Sequence, residues 1–235
     1  MNAPTLLLLP GNMCDARMWS GLCDLHCVHA DLSRDDSIEQ MAQRMLIEHQ
    51  GPLIPIGFSM GGIVALEMAR QAPDRIHGLI LSDTNAGADL PERAILRPAQ
   101  QDRVRNGELA AIVADELKPV YLADQNRCNE PMKTLLFDMA MELGDDVFIR
   151  QSEALRTRAD LGPVLDLYMG PVIFLCGAED ALCPPALHHV MAARCHDAEV
   201  HIITGAGHLL PLEQPAHFRS IISDWLTRKF GDTND

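Results

Sequence analysis

The stretch LIPIGFSMGG, residues 53–62, joins a short apolar run to a serine set among glycines. Residues 53–56 have the length and composition of a buried strand, and Ile63, Val64, Leu66 and Met68 follow in a helix-favouring run that ends before Pro73. Ser59 therefore falls on a strand-to-helix turn. Such a turn lifts a hydroxyl clear of a sheet but crowds the backbone, so the positions two before and two after must be very small. Gly57 and Gly61 meet that demand, and Gly62 leaves room for close packing. The pattern G-x-S-x-G arises by chance in roughly one chain in ten of this length. Taken alone it equally fits a serine that caps a helix.

Outward from this turn, short apolar runs alternate with amphipathic stretches, the pattern of parallel strands joined by helices. Strands are expected at 5–9, 27–30, 53–56 and 78–82, with a helix opened by Ser37 between the second and third. From 87 to 160 no strand-like run occurs, and the text reads as several short helices separated by Gly, Pro and Asn. Strands return at 171–176 and 200–204, followed by a final helix over 216–225 and a frayed, polar GDTND tail. The expected organisation is a core of 1–86 and 161–235 interrupted by a helical insertion over 87–160.

Composition narrows the function classes. With 47% hydrophobic and 22% charged residues over 235 positions, the chain has the makings of one sizeable folded core. Its 33 acidic against 19 basic residues give a net charge of -14, which repels nucleic acid and anionic bilayers. The N-terminus has no basic region before its short apolar run, and the seven cysteines have no framework spacing, so a cytoplasmic protein with reduced thiols is expected. Cys23, His26, Cys27 and His29 fall within seven residues, whereas a structural zinc site draws its ligand pairs from two separated segments. They read as ordinary thiols and solvated imidazoles.

A serine hydroxyl is a poor nucleophile until a base lies within hydrogen-bond reach and a carboxylate orients that base. After the strand at 171–176 comes GAEDALCPP, which places Asp180 just past a strand's C-terminal end, where open α/β sheets keep their sites. After the last strand comes GAGHLLPLEQP, with His208 between a Gly-rich turn and a proline. Ser59, Asp180 and His208 thus occur in the order serine, acid, histidine, each after a separate strand. Asp83, ending the strand at 78–82, is the reserve acid, with hydrogen bonding at the start of the insertion as its other role. The backbone N–H of Met60, in the first turn of the following helix, suits an oxyanion.

Through LLLLPG, GFSMGGIVALEMA, IHGLILSDT, PVIFLCGAEDALCPP and GAGHLLPLEQP the sequence resembles the α/β-hydrolase superfamily, specifically small esterase-like members with a helical cap. The likeness is weakest over 87–160. It implies an α/β-hydrolase fold: a mostly parallel sheet of about six strands flanked by helices, carrying an all-helical cap. It implies Ser59 as nucleophile, His208 as general base then acid, Asp180 as orienting carboxylate, and the Asn12 backbone N–H as second oxyanion donor. Where the family usually has His-Gly after the first strand, this chain has Pro10-Gly11, so the imidazole that often braces the loop is absent.

The resulting expectation is a serine hydrolase, free of cofactor and metal, that cleaves a small carboxylic ester, lactone or thioester. Carbon–carbon bond hydrolysis, perhydrolysis or ligand reception on the same triad are the alternatives, and a homo-oligomer is left open. Within the insertion, Met132, Leu135, Leu136, Met139 and Leu143 are expected to fill a cap interior. Arg97, Arg103 and Arg105 are candidates to meet an anionic substrate group, with solvation or pairing as the competing role.

Overall fold

The computed structural model describes residues 3–23, 25–117 and 121–231. Six strands, β1 (Thr5–Leu9), β2 (Cys27–His29), β3 (Leu53–Phe58), β4 (Leu79–Ser82), β5 (Val172–Gly177) and β6 (Ala198–Ile203), form one sheet in the order β2-β1-β3-β4-β5-β6. Every adjacent pair is parallel, with Leu9 opposite Gly57 and Phe58 opposite Ser82. All six C-terminal ends therefore point to one edge. The expected strands are all present, shifted by one or two residues at their ends.

Both faces of the sheet are covered, as a parallel sheet requires. Leu7 and Leu9 pack on one face with residues of α1 (Ile38–Glu48) and α2 (Met60–Gln71), among them Met41, Met45 and Leu66. Leu6 and Leu8 face the other way, with Trp19, Phe218 and Trp225. The last two lie on a C-terminal helix, Pro215–Phe230, longer than expected because its apolar periodicity runs on to Phe230. Ser37 caps α1 by accepting from the Gln40 N–H. The tail expected to fray lies, beyond Gly231, outside the described residues.

Between β4 and β5 the described residues contain no strand, and the expected series of short helices is corrected. Helix α3 (Pro91–Arg105) leads through the three-residue turn α4 (Leu109–Ala111) and a π-helical segment, Ile112–Leu117. Then α5 (Glu130–Thr157) runs for 28 residues, interrupted only at Gly144, where φ is 80°. Glycine adopts that conformation without a Cβ penalty, so two amphipathic runs join with no loop between them. The apolar stripe on α5 is also relocated. Leu136 and Met139 join the cluster of Leu8, Met18 and Trp19 on the sheet side, and only Leu143 packs with Val104, Ile112 and Phe148 among the inserted helices. No helix among the described residues is long and apolar enough to cross a membrane.

Candidate active site

Three non-glycine residues among those described have positive φ, namely Met13 at 52°, Ser59 at 51° and Asp83 at 47°. They follow β1, β3 and β4 at the same sheet edge, and strain of this kind costs about 1–3 kcal/mol per residue. At Ser59 the turn is held from several sides. Its N–H donates to Ser82 O at 2.9 Å, and its carbonyl accepts from Thr84 Oγ1 at 2.7 Å and from Gly62 N at 3.0 Å. A Cβ on Gly61 would lie 2.0 Å from Leu9 O, and one on Gly57 would lie 2.5 Å from Gly61 O, so neither position tolerates a side chain.

Past β5 and β6, two loops bring their side chains to this serine. His208 Nε2 lies 3.0 Å from Ser59 Oγ, and Nδ1 lies 2.9 Å from Asp180 Oδ2. The other Asp180 oxygen accepts from the N–H groups of Leu182 at 2.8 Å and Cys183 at 2.9 Å. The imidazole is flanked by Phe58 and Tyr121, with ring centroids 5.2 and 5.4 Å away, and its backbone N–H donates to Tyr121 O at 2.7 Å. Asp180 and His208 are both buried, and Ser59 is half-buried.

The two neighbouring carboxyl groups are pushed apart in acidity. Burial alone would raise Asp180, but the charge and hydrogen bond of His208, with the two N–H donors, hold it below the usual carboxylate range. Burial and then the Asp180 charge drive Asp83 well above that range, against its hydrogen bonds from Ser82 and Gly177. Like charges at close quarters split in this way. The Asp83 oxygens are engaged by Ser82 Oγ at 2.6 Å and Gly177 N at 2.9 Å, with no hydrogen bond to His208. Its role at the start of the insertion is thereby corrected. Asp83 ties β4 to the end of β5 by accepting from the Gly177 N–H.

Several residues that sequence reasoning passed over position this group. Glu213, in the short turn Leu210–Glu213, accepts from Gly207 N at 2.7 Å, Ala123 N at 2.8 Å and Asn126 Nδ2 at 2.9 Å, pinning the His208 loop to the inserted segment. Gln151 of α5 accepts from Met13 N at 2.8 Å and Asn12 Nδ2 at 3.1 Å, and donates to Leu32 O at 3.2 Å. It braces the loop after β1, which in this chain carries Pro10-Gly11. Neither role has a local sequence signal, since each spans 80 or more residues in at least one of its bonds.

Ser59, His208, Asn12 and Met60 share a cavity of about 250 Å³ that also meets α3 and the chain near Arg158. Of the arginines proposed from sequence, Arg97 reaches this cavity and is bound to Asp89 at 2.6 Å. Arg105 pairs with Asp102, and Arg103 pairs with Glu108 and Glu116, so these two are committed elsewhere. Arg93 and Arg158 also line the cavity and were not anticipated. The buried thiols nearby are no rivals to the serine, as burial and the Asp180 charge push Cys183 up to about 12. Among the described residues, the ligand-type groups that converge are Asp180–Cys183–His208 and Asp83–Cys176–Asp180, not the set at 23–29.

A parallel sheet with a strained serine turn and a histidine–carboxylate pair at its C-terminal edge is the architecture of an α/β hydrolase. The chain belongs to the alpha/beta hydrolase family, whose model matches residues 6–218. Among solved structures it is similar to a thermophilic esterase from Thermogutta terrifontis with malate bound, at 27% identity and a TM-score of 0.87 over 97% of this chain and 91% of that one. A pimeloyl-[acyl-carrier protein] methyl ester esterase of Neisseria meningitidis is 24% identical over 84% of this chain and 78% of its own. A 2-hydroxy-6-oxononadienedioate/2-hydroxy-6-oxononatrienedioate hydrolase of Dechloromonas aromatica is 27% identical over 73% of this chain and 61% of its own. The chain spans 48% to 78% of the length of such curated relatives.

Proposed function

We propose that this hydrolase cleaves a small carboxylic ester, lactone or thioester through an acyl-enzyme on Ser59. The observation that carries the reading is the unbroken chain of hydrogen bonds from Asp180 through His208 to Ser59. Asp180 fixes the proton on His208 Nδ1, which leaves Nε2 free to take the Ser59 proton as Oγ attacks the substrate carbonyl. The Met60 and Asn12 N–H groups receive the oxyanion. The imidazolium then gives its proton to the leaving alcohol or thiol, and a water activated by His208 releases the acid and restores Ser59. Residues 87–160 act as a cap that closes the cavity over the serine. The seven free thiols suit a reducing, cytoplasmic compartment.

Fluorophosphonate labelling with mapping of the adduct tests the reading. Modification of Ser59 is expected, with loss of esterase activity in Ser59→Ala; full activity in that variant would overturn it. The likeness to the nonadienedioate hydrolase supports carbon–carbon bond cleavage on the same triad as a second reading. Turnover of a vinylogous diketone with no turnover of esters would select it.

A further inference from the structure

Arg93 and Arg97 stand one turn apart on α3, and both line the cavity that holds Ser59 and His208. Like charges at this spacing repel unless a counter-ion lies between or beside them. Asp89 supplies one for Arg97, at 2.6 Å, but it also binds Arg158 at 2.8 Å. Arg158 is almost wholly buried and spends its remaining donors on the carbonyls of Gly87, Ala88 and Leu155. Glu116, the other carboxylate of the wall, is held by Arg103 and Gln100. Arg93, whose backbone N–H donates to Leu90 O at 2.9 Å, has no side-chain hydrogen bond or ion pair among the described residues. Of the charged groups that line the cavity, three guanidinium groups thus face two carboxylates, which leaves a surplus of one positive charge in a chain whose net charge is -14.

We propose that Arg93 receives a carboxylate carried by the substrate, so that the site selects esters or lactones of small carboxylate-bearing molecules over neutral ones. The proposal rests on the reading of Ser59 as the nucleophile. A guanidinium offers a planar fork that matches a carboxylate, and a charge-assisted pair inside a partly closed cavity is stronger than one in water. The same fork would sit empty against a neutral acyl chain. A cavity of about 250 Å³ limits the substrate to a small molecule, so its anionic group and its scissile carbonyl must share the same enclosure.

Two substrate pairs test this, each matched in size and differing in charge. Monoethyl glutarate against ethyl glutaramate places the carboxylate on the acyl side; 4-acetoxybutanoate against 4-acetoxybutanamide places it on the alcohol side. In the native enzyme one pair is expected to show kcat/KM about ten- to a hundredfold higher for the anion, and Arg93→Gln is expected to erase that ratio. Arg105→Gln, whose side chain pairs with Asp102, is expected to keep it. Equal turnover of anion and amide in both pairs, or a preference that survives Arg93→Gln, would overturn the proposal. Calorimetric titration of Ser59→Ala with each anionic ester, with and without Arg93→Gln, reads binding without turnover. A loss of about tenfold in affinity with Arg93→Gln supports the anion site even if no ester is hydrolysed, and unchanged affinity for both esters rejects it.

Discussion

Ser59 is held in a conformation that few residues adopt freely, and of the two aspartates beside the site only one touches the histidine that meets it. Asp180 contacts His208 and is kept below the ordinary carboxylate range, whereas Asp83 is driven above it and turned towards Gly177. Asp180→Asn should therefore keep the fold and lower kcat by roughly 10³–10⁴-fold, because the histidine tautomer is no longer enforced. Asp83→Asn should lose far less, since the Asp83 oxygens are engaged by Ser82 and Gly177 and make no hydrogen bond to His208. Ester hydrolysis by the two purified variants decides between them, and a larger loss in Asp83→Asn would reverse the assignment. The order serine, acid, histidine was legible in the sequence because each residue ends a strand of a parallel sheet. The preference for Asp180 over Asp83 came from the family resemblance, because both follow strands and strand position alone does not give side-chain direction.

Among the elements, α5 does more than pack against its neighbours in the insertion. Its Gln151 is buried and supplies the acceptor for Met13 N, in the loop that also carries Asn12. Gln151→Leu removes that acceptor and strands a buried N–H, which should lower stability by about 1–3 kcal/mol. It should also lower kcat by about tenfold with KM little changed, because the loop loses its position as charge develops on the carbonyl oxygen. Gln151→Glu keeps an acceptor and should recover part of kcat. Steady-state kinetics on folded fractions, alongside urea unfolding, separates this from a purely structural effect, in which kcat per folded enzyme would not change. The departure from His-Gly after β1 was visible in the sequence. The Gln151 contact to Asn12, 139 residues away, was not, because helical periodicity reports which face of α5 is apolar and is silent on where one buried amide points.

For the whole molecule, the depressed carboxylates set the acid limit. Against the opposing effect of burial, Asp15, Asp89 and Asp180 are held below 3.8 by arginine or histidine partners, and Asp31 by hydrogen bonds from Ser33 and then by Arg34. A group depressed in the folded state contributes stability above its unfolded value and loses it as pH falls through the folded one. Stability should therefore drop as pH goes below about 4, measured by urea midpoints across pH. Asp83 has the opposite sign: its contribution is full below 3.8 and is lost as pH rises towards its raised folded value. Asp83→Asn should gain stability relative to the native protein from about pH 4 upward, and no change in that difference with pH would refute its raised acidity constant. The sequence by itself determined the parallel sheet, the serine turn and the edge at which the chemistry gathers, because strand composition, glycine spacing and chain order are local properties. Tertiary structure alone decided which aspartate touches the histidine, which amide braces the loop after β1 and which arginine side chain stands unpaired in the cavity. Those are set by burial and by partners distant along the chain, and neither is written in any one stretch of residues.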